Sequence, residues 1–542
     1  MADCHPHGLL GSWKPYPRGM NGGEAVIALL EEAGIEVAFG IPGVHTLELY
    51  RGLAASGIRA VLVRHEQGAS FAADGYARAT GRPALCCIIT GPGLTNAATG
   101  IGQAYSDSVP MLVLASVNQT TTLGKGYGDL HELTDQLALA RVLTGSAQSV
   151  RSVADVPGAV ARALAELASK RPRPVYIEIP IDVLEQTVDE HWTIPDPPAR
   201  PRHDPAAVAR AAVALAAAQR PVVIVGGGAV AACEAVRALV ARLGAVVLST
   251  TAGKGVVAES DPLCAGALLG YPEAQRFLAS RDCALVLGSE LAETDSDVSR
   301  LALPETLIRV DIDPAKLSDA YPATVPVLGD VGPFVAELAE QIAPRAADHA
   351  AARELRAEVE AARGPLSRQH TRVLDAIRAA LPADGRVYSD MTQIAYTAVG
   401  ALRFDHPRRF LHPSGFGTLG YALPAAVGGL LGDPGTATAA LIGDAGLLFT
   451  VSELATAVQL ELPLVVLLWN NDALGQIHGD MIARSIPEIS VLPRNPDYPM
   501  LARAFGAEAE TPASLAEIGP AIARALARNG PTVIELRQDT LI

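Results

Sequence analysis

Ala439-Ala440-Leu441-Ile442-Gly443-Asp444-Ala445 and, one helix-length further on, Pro463-Leu464-Val465-Val466-Leu467-Leu468-Trp469-Asn470-Asn471 are two apolar runs that each stop on polar residues. Between them Ser452 to Leu460 has a helical spacing, with Leu454, Ala457 and Val458 on one face. Strand, helix, strand is the crossover unit of a parallel sheet. It sets Asp444 and Asn471 side by side at the carboxyl edge, where α/β proteins bind ligands. One carboxylate, one amide oxygen and a nearby backbone carbonyl form a hard-oxygen set. Such a set suits Mg²⁺, which is commonly held by few protein ligands plus phosphate oxygens.

The same alternation extends over the whole chain. From about Asn21 to Glu190, the runs Val37-Ala38-Phe39, Ala60 to Val63, Leu85 to Ile89, Met111 to Ala115 and Val175 to Ile179 alternate with helical stretches such as Gly23 to Ala33 and Ala69 to Thr80. Pro195 to Pro205 holds five prolines, a linker composition. A second α/β block spans 204–344 and opens on Pro221-Val222-Val223-Ile224-Val225-Gly226-Gly227-Gly228, a strand and a glycine turn. That turn lacks the full Gly-x-Gly-x-x-Gly pattern of a dinucleotide site. Ala346 to Arg363 reads as a connecting helix, and a third block runs over 369–542. The expectation is an α/β protein of three doubly wound parallel-sheet domains, 21–190, 204–344 and 369–542, with 1–20 a flexible tail.

Bulk properties narrow the class. A net charge of −15 over 542 residues argues against a general nucleic-acid binder. No apolar run reaches transmembrane length, and Met1 to Met20 has no apolar core of a signal peptide. The six cysteines show neither zinc nor disulfide spacing, which fits a reducing cytoplasm.

Gly443-Asp444-Ala445, a helix and Asn470-Asn471 resemble the signature of the thiamin-diphosphate enzymes, with Ala445 where Gly is usual. Ala requires only that the backbone avoid positive φ there. The resemblance covers roughly Asn21 to the carboxyl terminus and implies the three-domain fold of that superfamily. It further implies Mg²⁺ bound by Asp444, Asn471 and the Ala473 carbonyl. Diphosphate contacts fall to Gln393, in Ser389-Asp390-Met391-Thr392-Gln393, and to backbone N–H groups at Ala445 and Gly446. Glu66, in Arg64-His65-Glu66-Gln67, matches the carboxylate that hydrogen-bonds the aminopyrimidine, so that the cofactor carries the base and the protein tunes it. His412 to Tyr421 resembles the segment that bends the cofactor, with Leu419 beneath it and the Gly417 carbonyl as acceptor.

Phe39 to His45 resembles the first substrate loop. Pyruvate decarboxylases carry Asp where Val44 stands, and a His-His pair in the region of Gly128 to Glu132. Acetolactate synthases place Phe-Gln at Leu130-His131. His131 is then a candidate proton donor; His45 is a second candidate, with a structural histidine as its other reading. Within the superfamily the chain resembles in particular the 2-ketoarginine (5-guanidino-2-oxopentanoate) decarboxylases, through Gly40 to Leu53, Gly124-Lys125-Gly126, Asp472 to Ile477 and Val491 to Asp497. The implied reaction is decarboxylation of a 2-oxo acid to an aldehyde. A guanidinium tail would want a carboxylate. Asp480 and Glu488 are candidates and Gln476 would line the pocket; the other reading for all three is a solvated surface group. An acetolactate synthase-like carboligase is the rival, one that would carry FAD on the middle domain, although no FAD site can be placed from the sequence. A non-catalytic nucleotide binder using the Gly226 turn is the third reading. The family also implies a homodimer or homotetramer in which Glu66 of one subunit meets the Asp444 block of another.

Overall fold

A computed structural model describes residues 19–542. Of the expected tail 1–20, all but Gly19 and Met20 lies outside the described residues, and Met20–Asn21 pairs antiparallel with Thr187–Val188. Three six-stranded sheets follow, parallel throughout. Their strands are near-continuous apolar runs because helices cover both faces and leave no solvated side. Leu464–Asn470 is buried at every position.

The first sheet runs from edge to edge as Arg59–Leu62, Val37–Gly40, Ala84–Ile88, Met111–Val117, Pro174–Pro180 and Ser146–Ser149. The third runs Phe410–Leu411, Arg386–Ser389, Thr438–Gly443, Leu464–Asn470, Thr532–Arg537 and Glu508–Glu510. In both, the second strand in chain order lies at the edge, followed by the first, third, fourth, sixth and fifth. The two flanking sheets therefore share one topology. In each, the strand order reverses between the first and third strands, and the crevice at such a switch point is where open α/β sheets bind ligands. The middle sheet is different: Cys264–Gly266, Val246–Ser249, Pro221–Val225, Cys283–Leu287, Thr306–Asp311 and Val325–Leu328 give the dinucleotide-fold order.

Small residues join the first and third blocks. Helix Glu66–Thr80 and helix Ala422–Gly432 are rich in Ala and Gly and pack directly on one another. A Cβ on Gly75 would strike the Ala425 carbonyl, and one on Gly428 the Ala72 carbonyl. The close approach is locked by hydroxyls: Tyr388 donates to the Gly75 carbonyl at 2.7 Å and Tyr421 to Asp74 at 2.6 Å. The helix Pro365–Ala380 runs across position 369. Among the described residues, no helix is long and apolar enough to cross a membrane.

Candidate active site

In the third sheet the switch-point strands deliver Asp390 and Asp444. The strand Thr438–Gly443 ends at Gly443, and Asp444 opens the helix Asp444–Thr450, with Ala445 inside that helix and at no positive φ. Asp444 is buried. Its carboxylate accepts from the Ala445 N–H at 2.8 Å and from the Asn495 amide at 2.8 Å, while Tyr498 donates to its backbone carbonyl at 2.9 Å. Burial pushes the Asp444 carboxyl up, and the two amide donors only partly oppose this. On the neighbouring strand, Asn470 donates to Glu535 at 2.7 Å, and Asn471 projects on to donate to the Gln393 amide oxygen at 3.3 Å. The turn then passes Asp472, at φ 52°, to buried Ala473.

Asp444, Asn471, Gln393 and the Ala473 turn thus gather at one sheet edge. The donor set suits a hard cation. A buried carboxylate with only amide partners favours a positive charge beside it. The buried Asn495 Oδ1 has no hydrogen-bond partner. A Cβ on Gly475 would collide with the Asn471 and Gln393 amides, so glycine keeps a cradle open there. Among the described residues no group of three or more His, Cys, Asp or Glu side chains is placed to hold a metal. Amide, carbonyl and ligand oxygens must therefore complete any coordination shell at this edge.

The segment 412–421 lies against this edge and is tied from several sides. Gly420 donates to Asp390 at 2.8 Å and Thr450 donates to the Gly420 carbonyl at 2.7 Å. Gly415 donates to Asp107 at 2.7 Å, and Thr418 donates to Gln103 at 3.1 Å. Gly417 and Gly420 take φ of 66° and 82°, left-handed values that a side chain disfavours. Half-buried Leu419 is presented between these two glycines. Burial pushes the Asp390 carboxyl up to about 6.

The first sheet supplies a second cluster. Glu66 is the first residue of its helix, where a carboxylate complements the helix dipole, and Asn96 donates to it at 2.9 Å. At the switch point, His45 Nδ1 lies 3.0 Å from Thr90 Oγ1, and Thr90 lies 3.1 Å from Ser116 Oγ. The His45 and His131 rings meet edge to face with centroids 5.5 Å apart. His131 is held at φ 62°. Burial and then the neighbouring His131 hold His45 below the ordinary histidine value, with Asp129 opposing. Two adjacent imidazolium ions repel, so replacing His131 by Asn is expected to raise the His45 pKa, read from imidazole NMR shifts against pH. A constant His45 pKa would show that the rings do not interact. Val44 is exposed beside the pair.

Gln476 and Asp480 lie on the helix Gly475–Ala483, where the Gln476 amide donates to Asp480 at 3.2 Å. Asp480 has no ion-pair partner among the described residues. Glu488 lies 2.5 Å from His478. The Gly226 turn has a packing explanation, since Cβ atoms at Gly226 and Gly228 would strike the Gly288 turn. It borders a cavity of about 1880 Å³ between the three blocks.

Sequence reading did not single out Asn96, Asn495 or Glu453, and named Asp390 only within its loop. Asn495 stood in a quoted stretch, Val491 to Asp497, but nothing in its spacing points to Asp444. The others reach their partners only through the tertiary fold.

Family models agree with this architecture. The thiamine pyrophosphate enzyme N-terminal TPP binding domain matches residues 20–139, the central domain 208–338, and the C-terminal TPP binding domain 390–536. The chain belongs to the thiamine pyrophosphate enzyme family. It is 50% identical over 525 residues to a probable 2-ketoarginine decarboxylase of Pseudomonas aeruginosa, covering 96% of this chain and 94% of that protein. It is 31% identical to the large subunit of acetolactate synthase isozyme 3 of Escherichia coli, covering 90% and 89%, and 31% identical to that of isozyme 1, covering 96% and 94%.

Proposed function

We propose that the chain decarboxylates a 2-oxo acid to an aldehyde with thiamin diphosphate and Mg²⁺, and that its substrate is 5-guanidino-2-oxopentanoate, which would yield 4-guanidinobutanal. The observation that carries the reading is a pair of polar clusters at the carboxyl ends of the two sheets of shared topology in a thiamine pyrophosphate enzyme: oxygen donors around Asp444 and a single carboxylate, Glu66, at a helix start. Thiamin diphosphate, when bound, supplies the thiazolium carbon that takes up the 2-oxo carbon and the electron sink that releases CO₂. Asp444, Asn471 and the Ala473 carbonyl hold Mg²⁺, and Gln393 with the N–H groups of Ala445 and Gly446 receives the diphosphate. Glu66 holds the proton at the aminopyrimidine ring. Leu419 would pack against the cofactor and the Gly417 carbonyl would accept a hydrogen bond from its amino group. His131 donates a proton to the carbon that has lost CO₂, with His45 behind it.

The substrate reading is supported by the 50% identity to the probable 2-ketoarginine decarboxylase and by Asp480, a carboxylate with no ion-pair partner among the described residues. A desolvated guanidinium needs such a partner. The expected result is a higher kcat/KM for 5-guanidino-2-oxopentanoate than for pyruvate. Replacing Asp480 by Asn is expected to lower the guanidino value about 10- to 100-fold, the worth of a charge-assisted hydrogen bond, while pyruvate moves by less than about threefold. Equal or better turnover of pyruvate by the wild-type enzyme rejects the substrate but leaves the cofactor site standing. The likeness to acetolactate synthases favours carboligation as the second reading. A hydroxyketone in place of the aldehyde, or a yellow FAD-bearing protein, would select it.

Each complete site is proposed to need two copies of the chain. The hydrogen-bond partner of Glu66 belongs to the first block and those of Asp444 to the third. Val44, Leu130, Phe449 and Ile477, around the two clusters, are exposed apolar side chains of the kind an interface covers. A homodimer or a homotetramer satisfies this. The free cysteines among the described residues fit a cytoplasmic enzyme.

A further inference from the structure

A buried carboxylate outside both clusters is bonded to the turn that carries Glu66. Glu453 opens the helix Glu453–Gln459 in the third block and is 1% exposed. Its Oε1 accepts from the backbone N–H of Arg64 at 3.0 Å and of His65 at 3.1 Å; its Oε2 accepts from Thr456 at 2.6 Å. Arg64 and His65 are the last two of the three residues, Val63 to His65, between the end of the edge strand and the start of the Glu66 helix. A Cβ on Gly68, in the first turn of that helix, would strike the Glu453 carboxylate, so glycine is what allows the approach. The Arg64 guanidinium adds a bond to Gln459 at 2.6 Å on the same helix. Both consecutive turn N–H groups find their acceptor outside their own block, on a carboxylate that is itself buried and would be costly to leave unpaired. The third block supplies the acceptor.

We infer that Glu453 is a positioning residue for Glu66: the carboxylate clamps the Arg64-His65 backbone and so sets where the Glu66 carboxylate stands. The inference rests on the reading of Glu66 as the aminopyrimidine partner. It has a second consequence if sites form between two subunits. The clamp and the Asp444 edge belong to one block of one chain, so the block that binds cofactor for one site also shapes the Glu66 turn of the other.

Four variants test it: Glu453→Ala, Glu453→Gln, Gly68→Ala, which displaces the carboxylate from the opposite side, and Glu66→Gln. In cofactor-free protein, Glu453→Ala and Gly68→Ala should speed hydrogen exchange at the Arg64 and His65 amides by about tenfold or more, with the strand Thr438–Gly443 unaffected. With cofactor, both should lower kcat by about 10- to 100-fold, the cost of misplacing a reacting group by roughly 1 Å. Glu453→Gln keeps an acceptor oxygen and should recover kcat to within about threefold of wild type. In a Glu66→Gln background, adding Glu453→Ala or Gly68→Ala should cost less than about twofold, because a group that acts through Glu66 has nothing left to position. Equal losses in the two backgrounds, or unchanged exchange at Arg64 and His65, overturn the proposal alone. Full activity of Glu66→Gln overturns the reading of Glu66, and this proposal with it.

Discussion

Replacing Glu66 by Gln is expected to leave thiamin diphosphate affinity within about threefold of wild type and to lower kcat about 100- to 10 000-fold, the usual worth of a general acid–base group. The side chain is nearly buried, and Asn96 holds it from the helix Pro92–Ser106 at 2.9 Å. Gln keeps the size and one acceptor oxygen, so binding survives. What it lacks is a carboxylate able to take and hold a proton at the aminopyrimidine. The measurement is single-substrate turnover at saturating cofactor, with calorimetry for affinity. Near-wild-type turnover would falsify the assignment.

Removing Asp444 should strike at binding instead. Asp444→Ala is expected to weaken Mg²⁺-dependent thiamin diphosphate binding about 100-fold or more, since loss of groups one step behind a metal already costs about 10- to 100-fold. Asn471→Ala should weaken it in the same direction. Burial holds the Asp444 carboxyl above its ordinary value, opposed by N–H donors such as those of Ala445 and Asn495, and a bound cation would supply the counter-charge this proposal assigns it. Calorimetry with and without Mg²⁺ reads the effect, and unchanged affinity in both variants removes the metal site. The two losses also combine into a test of assembly. Mixed under proven subunit exchange, inactive Glu66→Gln and Asp444→Ala chains should regain activity, because one of the two sites in a heterodimer receives an intact half from each chain. If no activity returns, both halves of the site belong to one chain.

Much of this was legible in the sequence because parallel sheets write themselves as apolar runs that stop where the ligand edge begins. Thr438–Gly443 and Leu464–Asn470 lie next to one another in register, as the crossover between them requires. Asp444 and Asn471 follow from that alone. The Gly226 turn shows the limit of local reading. Its run of glycines invites a nucleotide reading without the full fingerprint, yet close packing against Gly288 accounts for Gly226 and Gly228.

The sequence by itself determined the three α/β blocks, the carboxylate and amide at the ends of adjacent strands, and the place of Glu66 between a strand and the helix that follows it. Each depends on neighbours only a few residues away, where periodicity and strand termination act. Only the tertiary structure decided which partners complete the clusters. Asn495 reaches Asp444 across 51 residues, His45 meets Thr90 across 45, and Glu453 grips Arg64 across 389. No period in the chain encodes those distances. They are set by the order of strands in each sheet and by two Ala- and Gly-rich helices close enough to bring the first and third blocks together.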